Sequence, residues 1–125
     1  MKSILCIVGW AVLALLLSAP AFADAPACYT YDCSTGLTCT FNASCTTTSP
    51  IWRVWYDFGD GGTSGHVAPT TTVSHTYLDY DDGGPAFPLV KLTVIPFSGP
   101  ILTVTCNMPI NQVFGPPMTP TGTCE

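Results

Sequence analysis

Positive charge is what this chain has least of. Only Lys2, Arg53 and Lys91 are basic, against eight acidic residues in 125. No cluster of cations exists to neutralise phosphates, which excludes nucleic acid and anionic membrane surfaces as partners. Charged residues of both signs make up only 9% of the chain, so its polar surface must be built from Thr, Ser and Asn. The seven cysteines include no C-x-x-C pair, and the two histidines, His66 and His75, stand apart. A zinc site of the usual ligand spacing is therefore not expected. No internal repeat is visible, and few segments after residue 23 support a helix.

The single long apolar run spans residues 4–17. It follows Lys2 and ends in Ser18-Ala19-Pro20-Ala21-Phe22-Ala23. This is the pattern of a secretory signal peptide, with an A-x-A cleavage site after Ala23. The alternative is an N-terminal membrane anchor, but the run is short for a span of roughly 20 residues. Residues 1–23 are expected to leave and to take Cys6 with them. The remaining 102 residues hold two basic and eight acidic side chains, a net charge of −6. The protein is expected to be secreted or periplasmic, with no membrane contact after cleavage.

Six cysteines then remain: Cys28, Cys33, Cys39, Cys45, Cys106 and Cys124. An even number in an exported chain points to disulfides, although six cysteines allow about 15 pairings. Periodicity narrows the choice for one pair. Tyr29 and Tyr31 alternate in a strand over 27–32, and Leu37, Cys39, Phe41 and Ala43 alternate in a strand over 37–45, with Ser34-Thr35-Gly36 as the turn between them. If Cys33 lies opposite Cys39, then Tyr31 faces Phe41 and Tyr29 faces Ala43, and every inward residue agrees in register. In that register Cys28 and Cys45 fall one residue out of opposition, and a bulge would let them pair. Elimination leaves Cys106 with Cys124.

Further strands are expected over 52–58, with Trp52, Val54, Tyr56 and Phe58 inward and Arg53, Trp55 and Asp57 outward, and then over 70–77, 89–95 and 101–106. Val90, Leu92 and Val94 would face the core, with Leu89, Lys91 and Thr93 outside. Residues 79–85 read as an acidic loop, and Phe87-Pro88-Leu89 as an irregular approach to the next strand. Residues 107–125, with four prolines, read as an extended tail pinned by Cys124. Short Thr-, Val- and Tyr-rich strands with frequent turns predict an all-β, disulfide-bonded, immunoglobulin-like sandwich of about seven strands over 24–106.

Trp55-Tyr56-Asp57-Phe58-Gly59-Asp60-Gly61 resembles the W-D-F-G-D-G signature of the polycystic kidney disease (PKD) domain. Val73-Ser74-His75-Thr76-Tyr77 is similar to that family's H-T-Y element, and Leu92-Thr93-Val94 to the end of its next strand. Residues 29–44 resemble the opening hairpin of its bacterial members, which often carry the same cysteine pair. The resemblance implies an immunoglobulin-like sandwich that serves as an accessory module of secreted bacterial proteins and has no catalytic activity of its own. One departure is that Tyr56 stands where the motif's tryptophan is usual, while Trp55 takes the preceding, outward position.

That outward tryptophan is the leading candidate for function. With Arg53, Leu89 and Lys91, Trp55 would form a contact face able to stack on a sugar ring or a peptide. The opposing reading is that Val113 or Phe114 of the tail covers it. Asp57, Asp60, Asp79, Asp81 and Asp82 are candidate oxygen ligands for Ca²⁺, although without EF-hand spacing, and an Asp in a Gly-Asp-Gly turn commonly bonds its own backbone. No other cofactor is indicated. His75 beside Ser74 lacks a third group to orient it as a base, and the resemblance to the PKD family implies that it is a packing residue. Asn42-Ala43-Ser44 is a glycosylation sequon inside a strand and is expected to be unused. No pair of carboxylates in a cleft suggests glycoside hydrolysis. The expected function is a non-catalytic binding or adhesion module for an extracellular polysaccharide or protein. The alternatives are a spacer domain, or a small effector or inhibitor that acts through its tail.

Overall fold

The computed structural model describes residues 27–47 and 50–125; the expected signal peptide lies outside them. The chain runs through eight strands: β1 (Tyr29–Asp32), β2 (Thr38–Asn42), β3 (Ile51–Asp57), β4 (Thr63–Val67), β5 (Val73–Thr76), β6 (Leu89–Pro96), β7 (Leu102–Asn107) and β8 (Thr121–Cys124). They form two four-stranded sheets of order β5-β2-β1-β8 and β4-β3-β6-β7, and every pairing is antiparallel. The sheets stack as a sandwich, and a 3₁₀ turn at Tyr80–Asp82 is the one helical element among the described residues. No helix among them is long and apolar enough to cross a membrane.

The first hairpin follows directly from its alternation. Tyr31 pairs with Phe41 and Thr30 with Asn42, so Tyr29, Phe41 and Ala43 share the buried face. Asp32 shapes the turn, its Oδ1 accepting from the Ser34 N–H at 2.9 Å and from the Ser34 hydroxyl at 2.6 Å. These two bonds hold its carboxyl below its ordinary value. Cys33–Cys39 closes the turn end of the hairpin and Cys28–Cys45 its open end. At the open end Thr46, rather than a bulge, reinforces the pairing: its hydroxyl donates to Cys28 O and accepts from Cys28 N–H. Cys106–Cys124 joins β7 to β8, one sheet to the other. Three disulfides fit an oxidising compartment outside the cytoplasm.

Between the sheets lie Val54, Tyr56 and Phe58 from and just after β3, Val90, Leu92 and Val94 from β6, and Tyr29 and Phe41 from β1 and β2. Two tyrosines also bridge the layers by hydrogen bonds. The Tyr29 hydroxyl donates to Val90 O and the Tyr77 hydroxyl to Phe58 O, each at 2.8 Å. Each such bond contributes about 1 kcal/mol net. Burial pushes the phenols of Tyr29, Tyr56 and Tyr77 well above the ordinary tyrosine range. The Tyr56 hydroxyl is buried without a hydrogen-bond partner among the described residues.

Three features depart from the sequence expectation. Trp52 does not point inward. The β3–β6 register shifts between Ile51 and Arg53, and this bulge leaves Trp52 on the surface at 45% exposure, because an extra residue on one strand re-aims its side chain. Residues 63–67 form a strand that alternation does not reveal, since Ser64, Gly65 and His66 offer no apolar period. Residues 107–125 are integrated into the domain: Met108 and Ile110 are buried in the core, and β8 pairs with β1 from Tyr29↔Cys124 to Asp32↔Thr121. Cys124 pins this segment, as expected. The irregular approach to β6 is visible at Phe87, which takes a left-handed φ of 50° and donates its N–H to Ile110 O.

Candidate functional site

The outer face of the β4-β3-β6-β7 sheet is set by the pleat of β3. Val54 and Tyr56 are buried, so Arg53, Trp55 and Asp57 project to the other side. Across the sheet Arg53 lies opposite Ile95, Trp55 opposite Thr93, and Asp57 opposite Lys91. On the other flank Trp55 lies opposite His66.

A second bulge shapes this flank. The β3–β4 register shifts between Trp55 and Asp57, so Ser64 and Gly65 together face Tyr56. The Tyr56 N–H donates instead to the Ser64 hydroxyl at 2.9 Å, and that hydroxyl donates to Gly65 O. The bulge carries His66 over the sheet. Its ring meets Trp55 edge-on with centroids 5.0 Å apart and Trp52 at 6.0 Å. Two tryptophans and a histidine wedged between them thus form one aromatic surface. The Arg53 guanidinium lies over the Trp52 ring, 5.7 Å from its centroid.

Beside this surface runs an open groove of about 280 Å³, lined by Trp55, Asp57, Thr63, Lys91, Thr93 and Ile95. Trp55 and Lys91 are therefore brought together, while Arg53 turns to Trp52. Leu89 is exposed, but it sits farther along β6, opposite Asn107, and does not line the groove. The ring contact of Trp55 is with His66, and no residue of 107–125 lines the groove. The two cations of residues 24–125, Arg53 and Lys91, both belong to this face. Trp52 and His66 are the members that sequence reasoning missed. Both are placed by bulges, and only the exposed histidine within a Gly-containing stretch hinted at one.

The five candidate calcium ligands are not gathered. Among the described residues no group of three acidic, histidine or cysteine side chains forms a metal site. Asp57 Oδ1 accepts the Gly59 N–H at 3.0 Å. Asp60 Oδ1 accepts the Gly62 N–H at 3.0 Å, and its Oδ2 meets His75 Nε2 at 2.7 Å. Asp79 caps the 3₁₀ turn by accepting from Asp81 N–H, and Asp81 and Asp82 are exposed on that turn.

His75 does have an orienting group, which the sequence reading did not find: Asp60, fifteen residues away. The pair makes no catalytic site with Ser74. In β5 His75 lies opposite Cys39 and Ser74 opposite Thr40, so the two side chains point to opposite faces. The imidazole is stacked on Phe58 at 4.1 Å and meets Tyr77 edge-on at 4.7 Å. Partial burial pushes the Asp60 carboxyl up, but the His75 bond and charge and the Gly62 N–H outweigh this and hold it below its ordinary value.

No known family model matches this chain, and no curated protein or solved structure matches it.

Proposed function

We propose that this protein is a secreted or periplasmic, non-catalytic binding module with a PKD-type, immunoglobulin-like sandwich, and that the outer face of its second sheet holds a neutral polysaccharide. The aromatic surface of Trp52, Trp55 and His66 carries this reading. Sugar rings present apolar C–H faces that stack on indole, and their hydroxyls bond to groups such as Thr63 and Thr93 beside it. The acidic net charge disfavours polyanions, and Arg53 is already engaged by Trp52. The PKD assignment is supported by the Trp55–Gly61 and Val73–Tyr77 motifs and by their order along the chain.

The test is retention on insoluble cellulose, chitin and, as a protein surface, collagen. Wild type is expected to bind a polysaccharide, with Trp55→Ala and Trp52→Ala each weakening retention by about tenfold, the equivalent of roughly 1.4 kcal/mol. Equal retention of both variants would sink the contact face. Retention on collagen alone would move the reading to a protein ligand.

A further inference from the structure

The sandwich has one side where both edge strands keep an unbroken register with their neighbours. β7 closes the second sheet and β8 the first, one above the other, and Cys106–Cys124 ties them together. The hydrogen-bond alternation shows which groups face out. Met108 N–H donates to Pro88 O, so along the antiparallel ladder the backbone N–H and C=O of Thr103 and Thr105 point away from β6. Cys33 N–H donates to Pro120 O, which by the same alternation turns those of Thr121 and Thr123 away from β1. Among the described residues these outward groups have no backbone partner.

The other side of the sandwich is blunted. There β4, the edge of the second sheet, carries the bulge opposite Tyr56. β7, in contrast, keeps an unbroken register with β6 from Asn107 to Leu102 and contains no proline, glycine or charge. Natural edges usually carry one of those devices against pairing.

We infer that this side is a homodimer interface: β7 pairs antiparallel with β7 of a second copy, and β8 with β8, about a two-fold axis normal to the sheets. Two continuous eight-stranded sheets result. A second copy fits better than an isolated extended peptide because a peptide completes one layer, whereas a copy of this chain offers two edges at the same spacing. Charge agrees. Residues 101–107 and 118–124 contain no charged side chain, so two acidic molecules meet where neither presents a carboxylate. With the axis at Val104, Thr103 lies opposite the partner's Thr105, a favourable cross-strand pair. The aromatic surface on β3 and β4 lies away from this edge and stays open in both copies. This inference does not depend on the proposed ligand, but it would make binding to a repetitive polymer bivalent.

The test is molar mass by light scattering and sedimentation up to about 500 µM, with amide exchange read in parallel. Wild type is expected at twice the monomer mass, with slow exchange at Thr103 and Thr105. Thr105→Pro removes an outward N–H without removing a bond to β6, and it is expected to be monomeric, with exchange at Thr103 at least tenfold faster. If that variant does not fold, Thr103→Pro makes the same change one pair along, with Thr105 as the exchange reporter. A wild type that stays monomeric at the highest concentration overturns the inference, and so does a dimer that survives the proline.

Discussion

His75 joins three parts of the molecule through one ring: it stacks on Phe58, meets the edge of Tyr77, and donates from Nε2 to Asp60. Since Asp60 also accepts from Gly62 N–H, the pair clamps the 59–62 turn onto β5. Gly59 in that turn has a φ of +81°, and a Cβ there would collide with the Leu89 carbonyl. Glycine is thus required by both conformation and space. The lowered pKa of Asp60 gives a pH signature. A carboxyl held low in the folded state contributes stability above its unfolded pKa and loses it as pH falls through the folded one. The melting temperature of wild type is expected to exceed that of Asp60→Asn by a few degrees above about pH 5, and the gap to close as pH drops below about 4. A gap that persists in acid would show that the carboxylate's charge is not what holds the turn.

At the scale of elements, the segment after β7 does more than connect. Asn111 adopts a left-handed φ of 50° and uses its whole side-chain amide. Nδ2 donates to Leu78 O at 2.9 Å and Pro85 O at 3.0 Å, and Oδ1 accepts Tyr80 N–H at 3.1 Å. One side chain therefore fixes both ends of the acidic loop. Asn111→Ala is expected to cost about 2 kcal/mol in urea unfolding and to open 78–85 to proteolysis. Unchanged cleavage in that loop would show that the loop holds itself.

The elements also show what a sequence can and cannot disclose. Tyr29, Tyr31 and Phe41 alternate without interruption, so their register and the Cys33–Cys39 pair are readable in advance, whereas Cys28 and Cys45 fall one residue outside that register. Trp52 was assigned to the wrong face because a one-residue bulge reverses every inference drawn from parity, and nothing at Pro50-Ile51-Trp52-Arg53 announces it. β8 escaped because Thr-Gly-Thr-Cys, set among prolines, has almost no apolar side chain to bury; its pairing with β1 and its disulfide hold it. The Asp60–His75 contact depends on two loops converging, and spacing carries no trace of that.

For the molecule as a whole, burial is divided unevenly. Two disulfides staple a single hairpin and the third links the two layers, while the aromatic core is made of tyrosine and phenylalanine. The chain has three tryptophans, and one, Trp10, lies in the segment expected to be cleaved. The other two are Trp52 and Trp55, with 45% and 36% of their surfaces exposed. The two bulges that assemble the contact face thereby place both indoles of residues 24–125 on it and none in the core. Intrinsic fluorescence excited at the red edge is then an optical probe of that face alone. Its emission should shift to the blue when a sugar polymer covers the rings.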